Sequence, residues 1–318
     1  MERQNSNSGL HKPAFNGKGG EYFGILIINW LLSLITLSVY YPWAKARSLK
    51  YLYKSSTLNN ESFSFEGTGK EMFIGYLKIV LIVSIILVVV LSLVLYDHPV
   101  LAVIFLYILA FAIVPLAIHG SVRYRLARTT WHGIRFSYGG KKSALALIYL
   151  KGILLCVVTL GFYTPWFIIK LTKYMLDNAR MGDATFKFSG NGGDFFILNL
   201  KGYVLTLITL GVFSFWWKKD IFNYFTNNIS LHRAYDEIQF NSSATGGEFF
   251  KLLIVNALMT IFSLGIAYPW ARMRYLKYIF SRIHIMGDID PDSIRHSGAD
   301  SGDATGEDIV DFLDIDII

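Results

Sequence analysis

The chain has 318 residues, of which 53% are hydrophobic and only 17% charged, with a formal net charge of +7 and a mean hydropathy of +0.42. Soluble domains average roughly 25% charged residues, so water alone cannot be the solvent for this surface. One cysteine, Cys156, excludes a disulfide scaffold, and 24 Phe, 19 Tyr and 7 Trp exclude disorder over most of the length. A polytopic membrane protein remains.

In chain order, residues 1–14 form a polar N-terminal segment with no cleavable signal peptide, so the first apolar run is expected to stay as a signal anchor. Charge-free runs then follow at Tyr22 to Ala44, Ile79 to Tyr96, Pro99 to Val122, Gly152 to Ile169, Gly202 to Trp217 and Leu252 to Ala271. Each is close to the about 20 residues a helix needs to cross a hydrocarbon core. Lys78, Lys151, Lys201 and Lys251 stand near their ends, where the ammonium can snorkel. The expectation is a mainly α, polytopic bundle with about six apolar transmembrane helices. Only Asp97 and His98 join the second and third runs, which predicts a tight helical hairpin. Residues 15–287 thus form a transmembrane domain, and 288–318 an acidic, flexible tail rich in Gly, Ser and Asp.

The transmembrane domain is internally repeated. Thr36 to Trp43 reads TLSVYYPW, Thr159 to Trp166 TLGFYTPW, Thr209 to Trp216 TLGVFSFW and Ser263 to Trp270 SLGIAYPW. A tyrosine follows each Trp by eight residues, at Tyr51, Tyr174, Tyr224 and Tyr278. The first and last copies align without a gap, matching Glu21 with Glu248, Asn29 with Asn256, Pro42 with Pro269 and Arg47 with Arg274. Upstream of the helices, Phe63-Ser-Phe65, Ile134-Arg-Phe136, Phe186-Lys-Phe188 and Ile238-Gln-Phe240 alternate with strand periodicity. Glycines follow each, and Phe15 with Gly17 begins a shorter fifth version. An acid opens four of the five helices, where it favours the positive end of the dipole; the third has Lys141 and Lys142 instead. One unit therefore reads as short strand, Gly turn, apolar helix, Pro-Trp bend and basic amphipathic helix.

The Gly-Gly-Glu-x-Phe start, the Thr-Leu-Gly…Pro-Trp-Ala block and the Arg/Lys-x-x-Tyr continuation resemble the YjgN-like family of bacterial inner-membrane proteins. The likeness spans roughly Phe15 to Gly287. It implies an inner-membrane location and a repeated architecture, and it carries no catalytic residues. Phe215 departs from the motif where the other copies have Pro, so that helix is expected to run straighter.

Two topologies stay open at this point. Placing Lys and Arg on alternate sides of six crossings gives no inside bias. Either the basic helices lie in the interface between crossings, or they return and gather all the basic ends on one side.

Candidate residues follow from the repeat. Asn29 and Asn256 are either hydrogen-bonding glue between helices or a polar pathway lining. Pro42-Trp43, Pro165-Trp166, Trp216 and Pro269-Trp270 are expected to be hinges with an interfacial aromatic anchor. Arg47 and Arg274 are expected either to anchor anionic headgroups or to form an anion-attracting vestibule. The histidines have no ligand spacing, which argues against a metal. Gly139-Gly140-Lys141-Lys142-Ser143 fails the phosphate-loop pattern, and no Gly-x-Ser-x-Gly occurs. No cofactor, nucleic acid or enzymatic activity is expected. The expected partners are the lipid bilayer and a second copy or other protein. The expected function is a transporter or channel-like module for a small or anionic solute; the alternative is a non-transporting envelope or scaffold protein.

Overall fold

The computed structural model describes residues 9–233 and 236–287. The acidic tail at 288–318 and residues 1–8 lie outside it. Two short strands, β1 (Leu10–His11) and β2 (Ala14–Phe15), begin the described chain. The first unit continues from β2 through helices α1 (Gly19–Ile35) and α2 (Tyr41–Ser55) to β3 (Ser56–Leu58). A second unit comprises β4 (Glu61–Phe65), α3 (Gly69–Leu95), α4 (Pro99–Ala127) and β5 (Thr129–Trp131). The third has β6 (Ile134–Tyr138), α5 (Lys142–Val158), α6 (Thr164–Asp177) and β7 (Ala179–Met181). In the fourth come β8 (Ala184–Phe188), α7 (Gly192–Ile208), α8 (Ser214–Asn227) and β9 (Ile229–Arg233). The fifth holds β10 (Asp236–Ser242), α9 (Gly246–Phe262), α10 (Tyr268–Arg282) and β11 (Ile283–Met286).

These strands form one antiparallel sheet in the order β1-β11-β10-β9-β8-β7-β6-β5-β4-β3-β2. Its two edges, β1 and β2, are separated only by Lys12 and Pro13. Two residues reach at most about 7 Å, so the sheet must curl until its edges meet, as a barrel does. Units are joined by tight turns, with Asn59-Asn60 and His132-Gly133 both at positive φ, the geometry of a type I′ hairpin. The helices follow the same circle: each packs on its neighbours in sequence, and α10 packs on α1.

This overturns the expectation of a mainly α bundle with six apolar membrane helices. Among the described residues only α3 and α4 are long and apolar enough to cross a membrane. The charge-free runs mislead because each short-unit run spans a helix, a bend and the start of the next helix. The run from Tyr22, for instance, contains a helix that stops at Ile35, because Leu37 and Ser38 adopt positive φ. The strands that precede the helices were legible one by one; the strands that follow them, β3, β5, β7, β9 and β11, and the pairing across dozens of residues were not.

The strands also fix the direction of the second helices. In every unit the strand before the helices pairs with the strand after them: Phe15 with Ser56, Phe65 with Thr129, Tyr138 with Ala179, Phe188 with Ile229 and Ser242 with Ile283. A helix pair whose two ends share a ladder must go out and come back. The basic second helices therefore return, and all five hairpins leave from one end of the barrel.

The barrel interior is filled. Leu58, Trp131, Ile134, Met181, Ala184, Leu231, Ile238 and Ile285, drawn from eight strands, make one buried apolar cluster near the hairpin turns. Phe63, Phe136, Phe186 and Phe240 pack against it, with successive ring centroids 6.3, 6.4 and 6.5 Å apart. Their strand neighbours Ser62, Ser64, Lys187 and Gln239 face outward and are exposed. That alternation is what a strand with one buried face requires.

Candidate functional site

The repeated residues meet at two kinds of contact, one within each hairpin and one between units. Within the first hairpin, Asn29 is buried and its Nδ2 donates to the Ala44 carbonyl at 2.9 Å; Asn256 donates likewise to the Ala271 carbonyl at 3.0 Å. Both are braces between antiparallel helices. Equivalent positions in the third and fourth units are Gly152 and Gly202, which receive the rings of Phe167 and Trp217. Where the second helix offers alanine, the first supplies an amide; where it offers a ring, the first supplies no side chain at all.

Pro42, Pro165 and Pro269 lie in the first turn of α2, α6 and α10. Their missing N–H is harmless there. The bend is made upstream, and α8 starts after the same bend although it has Phe215 in place of proline. In each copy a leucine sits at φ 49–53° (Leu37, Leu160, Leu210, Leu264). Gly161, Gly211 and Gly265 follow at φ 90–94°, with Ser38 in the first copy.

The tryptophans bind neighbouring units together. Trp43 covers Gly69, Trp166 covers Gly192, Trp216 covers Gly246, and Trp270 covers Gly19, so the last unit is stapled to the first. A methyl group on any of these glycines would fall inside the indole. Each indole also packs on a phenylalanine one turn further along: Phe73, Phe196, Phe250 and Phe23, at 4.9 to 5.3 Å between centroids. Because Trp43, early in α2, touches the very start of α3, each hairpin leans across the base of the next.

The fifth junction, from α4 to α5, was missed by the sequence reading. Its copy of the Pro-Trp block is Pro115-Leu116, hidden inside α4, and the only surviving signal is Tyr124 eight residues later. Here Leu116 replaces Trp, and Lys142 replaces the receiving glycine. His119 and Tyr138 are buried in ring contact at this seam; His119 Nε2 lies 2.8 Å from the Gly140 carbonyl, while His119 Nδ1 and Tyr138 Oη have no hydrogen-bond partner. Burial pushes the Tyr138 phenol up, so it stays protonated.

At the base of the hairpins the repeated tyrosines clamp the helix starts. The Lys18 N–H donates to Tyr51 Oη at 2.8 Å, the Lys141 N–H to Tyr174 Oη at 2.7 Å, and the Tyr224 hydroxyl donates to the Asn191 carbonyl at 2.7 Å. Tyr124 donates to Glu71 and Tyr278 to Glu248. The Lys18 ammonium beside Glu21 holds that carboxyl below its ordinary value. Arg47 and Arg274 stand exposed on α2 and α10, on the same helical stripe as Trp43 and Lys50, and Trp270 and Lys277, respectively. They are brought to equivalent places on separate helices, with no hydrogen bond between them. No group of three or more His, Cys, Asp or Glu able to hold a metal occurs among the described residues.

A family model described as "Bacterial protein of unknown function (DUF898)" matches residues 11–201, 183–235 and 231–312. Among curated proteins, the chain is similar to the inner membrane protein YjgN of Salmonella typhimurium, with 40% identity over 128 residues, which is 40% of this chain and 31% of that protein. It is also similar to the inner membrane protein YjgN of Escherichia coli K12, with 30% identity over 158 residues, 50% of this chain and 38% of that protein. These matches thus span about a third of the relatives' length. No solved structure matches.

Proposed function

Since the chain belongs to the family of bacterial proteins of unknown function (DUF898), we propose that it acts as a non-conducting scaffold of the bacterial inner membrane. In this reading the α3/α4 hairpin spans the bilayer and the barrel stands on the cytoplasmic side, its polar outer face open to a protein partner or a second copy. The observation that carries the reading is the buried apolar layer around Trp131, which is fully buried and closes the barrel across its width. A solute path along the barrel axis would have to displace that layer.

Charge supports the orientation. None of the five bends contains Lys or Arg, so returning hairpins leave every described base on the sheet side or along the helices. The positive-inside rule then favours a cytoplasmic sheet, with Arg47, Lys50, Arg274 and Lys277 meeting anionic headgroups. The relatives' name, inner membrane protein, fits the same location. The reading assigns the protein no reaction and no cofactor.

The rival is transport of a small anion, favoured by the two exposed arginines at equivalent positions. Proteoliposomes loaded with chloride or inorganic phosphate separate the two. The scaffold reading expects efflux no faster than from empty vesicles; protein-dependent efflux of either ion overturns it in favour of transport.

A further inference from the structure

The four short hairpins end in bends whose chemistry is wrong for water. Leu37, Leu160, Leu210 and Leu264 project from them with exposures of 88%, 90%, 95% and 92%. A leucine held at positive φ costs roughly 1–2 kcal/mol of backbone strain, and in water its exposed side chain would gain nothing in return.

The bends also satisfy their own backbone donors. In the fourth unit, the N–H groups of Thr209, Leu210, Gly211, Val212 and Ser214 donate to the carbonyls of Leu205, Leu207, Thr206, Thr209 and Gly211. The remaining donor, the Phe213 N–H, is taken by Thr209 Oγ1 at 2.8 Å, while that hydroxyl donates to the Leu205 carbonyl at 2.7 Å. The other three bends repeat the backbone bonds, with Thr36, Thr159 and Ser263 as the hinge hydroxyl; Ser263 differs in donating to the Thr260 carbonyl three residues back. Each unsatisfied backbone polar group costs several kcal/mol in hydrocarbon, and all six N–H groups of each bend have a partner.

The long hairpin sets the depth. Its bend carries Asp97 and His98, groups suited to an aqueous surface. Helix α3 has 27 residues and α1, α7 and α9 have 17 each. At 1.5 Å per residue the difference is about 15 Å, half of a hydrocarbon core about 30 Å thick.

We infer that the four Leu-tipped bends are re-entrant: they are buried among lipid acyl chains, near the bilayer midplane, and occupy one leaflet only. The inference rests on the orientation proposed above. Its occupant is the acyl chain of the sheet-side leaflet, so the protein displaces lipid from that leaflet at four points and from both leaflets at one.

Single cysteines in a Cys156→Ser background, labelled with an environment-sensitive fluorophore and reconstituted in phosphatidylcholine–phosphatidylglycerol vesicles, test this. Leu210→Cys and Leu264→Cys should be quenched by lipid spin-labelled mid-chain and resist aqueous iodide by at least severalfold relative to Asp97→Cys. Lys187→Cys, on the outer face of the sheet, should be quenched by iodide from the opposite side to Asp97→Cys. Iodide quenching at both tips equal to that at Asp97→Cys overturns the inference. Position 97 and position 187 responding from the same side would instead overturn the spanning orientation, whatever the tips do. Circular dichroism of each labelled variant, matching the parent, keeps a misfolded sample from counting as a result.

Discussion

The α3/α4 hairpin and the four short hairpins are the same unit solved at two lengths. Thirty residues separate the opening acid from the clamping tyrosine in the first and fifth units, but 53 in the second. The added residues extend both helices of one hairpin, exchange its Leu-Gly bend for Tyr96-Asp97-His98, and leave the base unchanged. Glu71 still meets Tyr124 and Arg128, much as Glu248 meets Tyr278 and Arg282. Length alone therefore separates a hairpin with helices long and apolar enough to cross a membrane from four that are not, and the polar bend goes with the long one. The cost appears at the trailing junction, where the Trp staple is absent.

The largest effect should come from a charge in the middle of the long hairpin. Val88→Arg, at an exposed site on α3, should cost about 2.5–3.5 kcal/mol of insertion, read as loss of far-side labelling at Asp97→Cys. Ser64→Arg, on the outer face of the sheet, should leave that labelling unchanged; equal losses would erase the distinction between the two regions.

Next come the staples. Gly192→Ala and Gly246→Ala force a Cβ into Trp166 and Trp216 and should destabilise by about 1–3 kcal/mol, measured as a lower melting temperature in detergent. Lys142→Ala, at the junction without a staple, should be close to neutral. A similar loss at all three would mean the long hairpin's seam is packed like the others.

Smaller changes should follow at the bends. Gly211→Ala places a side chain at φ +94° and should cost about 1–2 kcal/mol. Ser38, which already holds a non-glycine at φ 69°, should accept glycine without loss. The same melting measurement checks both; a neutral Gly211→Ala would show that the short bends relax where they are supposed to be held.

The smallest expected effect is at the braces. Asn256→Ala removes one hydrogen bond between α9 and α10 and should cost about 0.6 kcal/mol, as for polar contacts between helices in lipid, a shift detectable only beside the parent protein. A loss of several kcal/mol would make the brace, rather than the staple, the main tie of a short hairpin.

Much of the unit was legible in the sequence, because its parts are local. The acid at the helix start, the Thr-Leu-Gly bend, the Trp and the Tyr eight residues later are each set by backbone geometry within a few turns, so they recur at fixed spacing. Even the pairing of Asn29 with Ala44 left a trace, in the matching Asn256 and Ala271. The fifth copy escaped because Pro115-Leu116 lacks both bend and indole and lies inside a continuous helix.

By itself, then, the sequence determined a membrane-associated chain built from repeated strand–helix–helix units, since hydrophobic content and repeat spacing are properties of residues in order. Only the tertiary structure decided that the units close into a ring, that the second helices return, and that two helices rather than six are of spanning length. Those outcomes depend on strand pairing between residues such as Ser242 and Ile283, or Leu10 and Met286. Ladder hydrogen bonds of that kind are the same whichever residues make them, so no periodicity in the chain announces which strand will be the neighbour.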